Sequence, residues 1–168
     1  HYYYEGKEDT SKVEEHEAEF KSKIKTYTNK VIVGYRLDKT ENLPLEITSN
    51  ANENIINIYY VRDIVDYKVE YYYQVNGEYN IFNTDTLKAL AESTINASVI
   101  NKESKRTDAK YVYSHSNPDP STTTVKVAAD GSTVIKVYFN QKIEIEFVKG
   151  THGTFDTQKY TIDYNTAG

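Results

Sequence analysis

The side chains able to do chemistry in this chain are carboxylates, four histidines and seventeen tyrosines, because cysteine, methionine and tryptophan are all absent. Without cysteine there is no disulfide framework, thiolate zinc site, cysteine nucleophile or thioester. Paired carboxylates can cut a glycosidic bond where a cleft sets their separation. The best candidates, Glu144 and Glu146, alternate with Ile143, Ile145 and Phe147, the pattern of the solvated face of a strand. No Gly-x-Ser-x-Gly elbow, phosphate loop or dinucleotide fingerprint occurs, so no enzymatic activity is expected. His1, His16, His115 and His152 lie far apart and none has a second ligand at metal-site spacing, so neither a metal nor another cofactor is expected. Asp63, Asp66, Asp119 and Asp130 fall in turns or linkers, where bonding to the local backbone is the ordinary role. A calcium ion beside Asp63 and Asp66 stays open, although the chain has no EF-hand-like ligand series.

The tyrosines give a sharper candidate. Where Tyr71 and Tyr73 point into a core, Tyr72 must point out of it, and Tyr138 does the same on a later strand. Tyr3 and Tyr59 are their counterparts earlier in the chain. Flat aromatic rings suit the C–H faces of sugars, so Tyr72, Tyr138, Tyr3 and Tyr59 are the candidate ligand-binding residues for a glycan. The competing reading is structural, since cross-strand aromatic pairs stabilise a sheet by roughly 0.2 to 1 kcal/mol with no ligand at all.

These tyrosines need strands to position them. Tyr67-Lys-Val-Glu-Tyr-Tyr-Tyr-Gln-Val75 alternates with a period of two, and Asn76-Gly77 accepts the positive φ angles of a type I′ turn before Glu78 to Phe82 returns. From Thr84 to Ser93 the pattern turns helical, with Leu87, Leu90 and Ala91 on one face, and a short helix is expected near 84–93. Tyr111 and Tyr113 suggest a strand, Asn117 to Pro120 a turn, Thr123 to Val127 a strand, and Ala129 to Ser132 a turn. Val134 to Phe147 is one long alternating strand, with Ile135, Val137 and Phe139 on one face and Lys136 and Tyr138 on the other. In the first part, Tyr2 to Glu5, Gly34 to Asp38, Leu45 to Thr48 and Ile55 to Val61 read as strands. Val13, His16, Phe20, Ile24 and Tyr27 recur at helical spacing, yet Glu15 to Lys21 also alternates. The strand reading is preferred there, because a helix would crowd Glu14, Glu15, Glu17 and Glu19 within two turns.

The elements repeat. His1-Tyr-Tyr-Tyr-Glu5 returns as Glu70-Tyr-Tyr-Tyr-Gln74, and Ile55-Ile-Asn-Ile-Tyr-Tyr-Val61 returns as Val134-Ile-Lys-Val-Tyr-Phe-Asn140, a period of roughly 70 to 80 residues. Ile143 to Phe147 then restates Tyr67 to Tyr71. Three stretches follow: a first repeat over 1–63, a divergent second over 64–142, and the start of a third, truncated repeat over 143–168. Small modules in series serve to reach, space and bind, whereas catalysis more often needs one deep pocket.

Charge and composition narrow the setting. Twenty basic against 25 acidic residues give a net charge of −5, and without a basic face neither nucleic acid nor anionic lipid is an expected partner. No apolar run reaches bilayer length, so membrane insertion is not expected. The start, His1-Tyr2-Tyr3, carries neither an initiator methionine nor a signal peptide, so the residues are expected to belong to a longer polypeptide. Avoidance of cysteine with abundant tyrosine, threonine, asparagine and isoleucine fits an exported protein of a single-membrane bacterium.

Strand, hairpin return, helix, then further strands ending in a long apolar one is the order of a β-grasp module, in which the first and last strands pair at the centre of a mixed sheet. The expected fold class is therefore α+β and β-rich, with tandem β-grasp (ubiquitin-like) modules and one short helix in the second. Val33-Gly-Tyr-Arg-Leu-Asp-Lys39, Asn42-Leu-Pro-Leu-Glu-Ile-Thr-Ser-Asn50 and Asn54-Ile-Ile-Asn-Ile-Tyr-Tyr-Val-Arg-Asp63, followed by Tyr67 to Tyr73, resemble the repeats of MucBP-like (mucin-binding-protein-type) modules of Gram-positive cell-surface proteins. Phe147-Val-Lys-Gly-Thr-His-Gly-Thr-Phe155 with Tyr160 to Tyr164 is similar to the opening of an internalin B-repeat-type module. The first resemblance covers residues 1 to 75 well and weakens from Glu78 to Pro120, where the helix and a longer insertion depart from the pattern. It implies a secreted, cell-wall-attached, extracellular adhesin or stalk, while its motifs, being strand patterns, do not by themselves transfer a ligand; a monomer is expected, with host glycoproteins, mucin or other glycans as the candidate partners. The alternative is a glycan-binding or spacer accessory module of an extracellular carbohydrate-degrading enzyme. Gram-positive stalk modules often carry a lysine isopeptide cross-link, but Lys68 and Lys136 fall on polar strand faces, so none is expected here.

Overall fold

Period-two alternation produces the longest strands. In the computed structural model, which describes residues 1–148 and 157–163, β7 (Ile64–Val75) buries Tyr67, Val69, Tyr71 and Tyr73, and β10 (Val134–Phe147) buries Ile135, Val137 and Phe139. The module opening expected from Phe147 onward runs through 149–156 and up to Tyr164, which lie outside the described residues. The other strands are β1 (Tyr2–Tyr4), β2 (Lys7–Glu8), β3 (Lys23–Ile24), β4 (Tyr35–Glu41), β5 (Leu45–Glu46), β6 (Asn57–Arg62), β8 (Glu78–Leu90), β9 (Lys110–Asn117) and β11 (Gln158–Asp163). The chain divides into two compact units, one of residues 1–65 with 88–93 and 127–132, the other of 66–87 with 94–126 and 133–168.

In the first unit the sheet order is β2-β1-β6-β4. Strands β1 and β6 run parallel with Tyr2 beside Ile58, Tyr3 beside Tyr59 and Tyr4 beside Tyr60, while β2 and β4 pair antiparallel at the flanks. Tyr2, Ile58 and Tyr60 form the buried centre, with Tyr4, Tyr27, Ile32, Tyr35 and Ile56 packed around them. Burying each such side chain contributes about 1.5–3 kcal/mol relative to leaving it in water. The hydroxyls need partners as well. Tyr2 lies 2.9 Å from Tyr27, Tyr27 donates to Glu14 at 2.5 Å, and Tyr60 donates to the Lys30 carbonyl at 2.7 Å. Burial, then the bond to Tyr27, holds the Tyr2 hydroxyl well above its ordinary pKa.

Residues 13–27 are therefore neither the expected strand nor the competing helix. Only Lys23–Ile24 is regular, as β3 against β5. Phe20 is 63% exposed and Val13 38%, so the spaced apolar residues do not form one buried face; Tyr27 packs on the core, and Glu14, bonded by Tyr27 and Lys30, anchors the segment. Residues 88–93 and 127–132 pack around Gly34, whose φ is +76°. A Cβ there would lie 2.5 Å from the Ala129 Cβ and 3.1 Å from that of Ala91.

The second unit repeats the strand plan. Strand β7 is hydrogen-bonded to β8 on one edge and runs parallel to β10 on the other, and β10 pairs antiparallel with β9. Its core is Tyr67, Val69, Tyr71, Tyr73, Ile95, Ile100, Tyr111, Val125, Ile135, Val137 and Phe139. The segment 94–109 crosses this face. The Lys105 amide donates to the Tyr73 hydroxyl at 2.9 Å, and the Arg106 guanidinium lies 5.2 Å from the Tyr111 ring and 5.3 Å from that of Phe82.

Two sequence expectations are corrected here. The helix near 84–93 is absent: Thr84 to Leu90 continues β8, with Asp85, Leu87 and Ala89 half-buried and Thr84, Thr86 and Lys88 exposed. The long β7 edge requires hydrogen-bond partners, and satisfying it outweighs a weak helical preference interrupted by β-branched threonines. Helix among the described residues is confined to single 3₁₀ turns at Thr10–Lys12, Ala51–Glu53 and Ala97–Val99. The strand expected over Thr123 to Val127 reduces to one bridge, Thr94 to Lys126, flanked by the bond from the Ile95 amide to the Val125 carbonyl. The architecture is β-rich with mixed sheets. No helix among the described residues is long and apolar enough to cross a membrane.

Candidate functional site

The parallel register brings each expected pair of outward tyrosines together. Tyr3 is paired with Tyr59 and stacks on it at 4.6 Å between centroids, with 20° between planes. Tyr72 is paired with Tyr138 and stacks at 5.2 Å and 25°. All four are half-buried, consistent with rings that stand on the outer face of a sheet and lean on each other.

The next strand out supplies a partner that alternation does not reveal. In β4 the register shifts between Leu37 and Lys39, which are opposite Tyr60 and Tyr59, so Asp38 is the extra residue of a bulge. In β9 it shifts in the same way: Tyr113 is opposite Phe139, His115 is opposite Tyr138, and Ser114 is extra. Each bulge re-aims one side chain onto the outward tyrosine. The Lys39 ammonium sits 4.5 Å above the Tyr59 ring, and the His115 ring stacks on Tyr138 at 4.4 Å and 13°. Tyr79, brought back by the Asn76-Gly77 turn, meets Tyr138 edge-on at 4.9 Å. The second unit thus carries a row of His115, Tyr138 and Tyr72 with Tyr79 against it.

Carboxylates fix the rings. Tyr59 donates to Glu41 at 2.8 Å and Tyr72 to Glu70 at 2.8 Å. The Glu41 bond, with some burial, pushes the Tyr59 hydroxyl up to about 12, and the Glu70 bond raises that of Tyr72. Lys39 also pairs with Glu41 at 2.5 Å and, more than Tyr59 does, holds its carboxyl below the ordinary value.

In the first unit a concavity lies beside the pair. A groove of about 570 Å³ is lined by Tyr3, His1, Glu8, Asn42, Pro44, Leu45, Glu46, Asn52, Glu53, Ile55 and Asn57. His1 Nδ1 meets Glu8 Oε1 at 2.5 Å at one wall, and Asn57 keeps its Oδ1 without a protein partner. The groove thus combines an aromatic ring with amides and carboxylates.

The other sequence candidates occupy ordinary positions. Glu144 pairs with Lys110 at 2.7 Å and Glu146 with Lys159 at 3.8 Å, both exposed. Lys68 is exposed, and Lys136 lies 5.6 Å above the Tyr72 ring. The Asp63 carboxylate accepts from the Ile64 amide at 2.8 Å. His152 lies outside the described residues. Among the described residues no three of His, Cys, Asp and Glu are grouped so as to hold a metal ion. No protein-family model matches the chain, and neither does any curated protein.

Proposed function

We propose that the chain is a non-enzymatic tandem segment of a secreted, cell-wall-attached bacterial surface protein, built of β-grasp-like units and acting as an adhesin or as the stalk that carries one. The observation that carries this reading is the duplicated plan: in each unit an opening strand runs parallel to a closing strand, with an outward tyrosine from each at matched register. The closing strand β6 is followed after a single residue, Asp63, by the opening strand β7, which suits a chain that grows by adding copies.

The same surfaces support glycan or mucin contact. In the first unit Tyr3 offers a ring within a groove whose Asn42, Asn52, Asn57, Glu46 and Glu53 can exchange hydrogen bonds with sugar hydroxyls. In the second, the ring faces of Tyr138 are taken by Tyr72 and His115, leaving edges and the Tyr79 side for a ligand. Such contacts bury little area, so single-unit affinity is weak and useful adhesion comes from many linked copies. The test is retention on immobilised mucin and on a glycan array. The adhesin reading expects binding that rises steeply when the chain is multimerised; no binding by the multimer reduces the segment to a spacer.

A further inference from the structure

The second half of β10 and β11 pair antiparallel, and among the described residues nothing covers one apolar face of the pair. Ile143 and Ile145 on β10 are opposite Ile162 and Tyr160 on β11, Phe147 meets Tyr160 edge-on at 5.7 Å, and all five are 37–55% exposed. Among the described residues one edge is also open. Strand β9 ends its ladder on β10 at the pair Lys110–Lys142, while β11 takes the opposite edge from Lys142 onward. Among the described residues the β9-side edge of Ile143–Phe147 therefore has no ladder, a state that favours strand addition.

The two complete units show what covers such a strand pair. Ile143-Glu-Ile-Glu-Phe147 corresponds to Tyr67-Lys-Val-Glu-Tyr71, which in the second unit is flanked by β8 on one edge and by the parallel strand Val134–Phe139 on the other. Transferring that register sets Ile135 beside Ile145, Val137 beside Phe147, and Lys136 beside Glu146, just as Lys136 now lies beside Glu70. Apolar side chains fall on the open face and opposite charges on the other.

We propose that this strand pair is a docking site for a parallel closing strand of the Val134–Phe139 type, contributed by a further copy of the repeat. The proposal rests on the repeat plan alone and stands or falls separately from glycan binding. The probe is a labelled synthetic peptide, Thr133 to Asn140, titrated into the full chain and followed by fluorescence anisotropy. Saturable binding is expected, weakened at least tenfold by Ile145→Lys or Tyr160→Lys in the chain and several-fold by Lys136→Glu in the peptide. Both chain variants alter exposed residues, and an unchanged circular dichroism spectrum establishes that they fold. Three results overturn the proposal: no binding at millimolar peptide, equal binding to both chain variants, or self-association of the native chain that Ile145→Lys abolishes, since the face then belongs to a second copy of the whole chain.

Discussion

Two residues carry consequences out of proportion to their size. Gly34 combines a positive φ with a Cβ position already filled by Ala129 and Ala91, so Gly34→Ala meets both backbone strain and overpacking. It should destabilise the first unit by about 2 kcal/mol or more, read as a lower urea midpoint; an unchanged midpoint contradicts the packing described. Glu41 sets the titration of Tyr59. With the folded pKa near 12 and the ordinary value at 10.0, the protonated ring is favoured by folding. The contribution is therefore intact below about pH 10 and lost as pH rises through about 12. Phenolate absorbance, assigned by Tyr59→Phe, should show this residue moving down toward the ordinary value in Glu41→Gln. If Tyr59 titrates the same in both proteins, the hydrogen bond is not what raises it.

At the scale of elements, the hairpin at Asn76-Gly77 sets where Tyr79 lands. Both turn residues take positive φ, 51° and 89°. Gly77→Val should cost about 1 kcal/mol or more, because a β-branched residue resists that region, and a melting temperature equal to the native one contradicts it. How far such elements can be read from sequence depends on which interaction decides them. The inward sets Val69, Tyr71, Tyr73 and Ile135, Val137, Phe139 follow from alternation, and so do the outward Tyr72 and Tyr138. Tyr79 was not singled out, although a two-residue turn fixes the register of the returning arm and so places it on the face of Tyr72. Thr84 to Leu90 was not legible, because its residues satisfy a weak helical face and a weak alternation at once, and the unpaired edge of β7 decides between them. Lys39 and His115 were hidden for a different reason: a bulge adds one residue without any local signal, and simple counting would have aimed Asp38 and Ser114 at the tyrosines.

For the whole molecule, the function we propose requires that the two units share a ligand-contacting surface and not merely a stable sheet. Both units keep a parallel tyrosine pair, a bulge beside it and a side chain thrown by that bulge onto the ring, although sheet stability alone would be served by many other residues. The most direct test compares the multimerised native chain with the multimerised double variants Tyr72→Ala, Tyr138→Ala and Tyr3→Ala, Tyr59→Ala on immobilised mucin, with circular dichroism establishing that the sheets persist. The native multimer should be retained, and each double variant should lose at least tenfold in apparent affinity. Retention of either folded double variant at the native level would contradict a shared ligand-contacting surface.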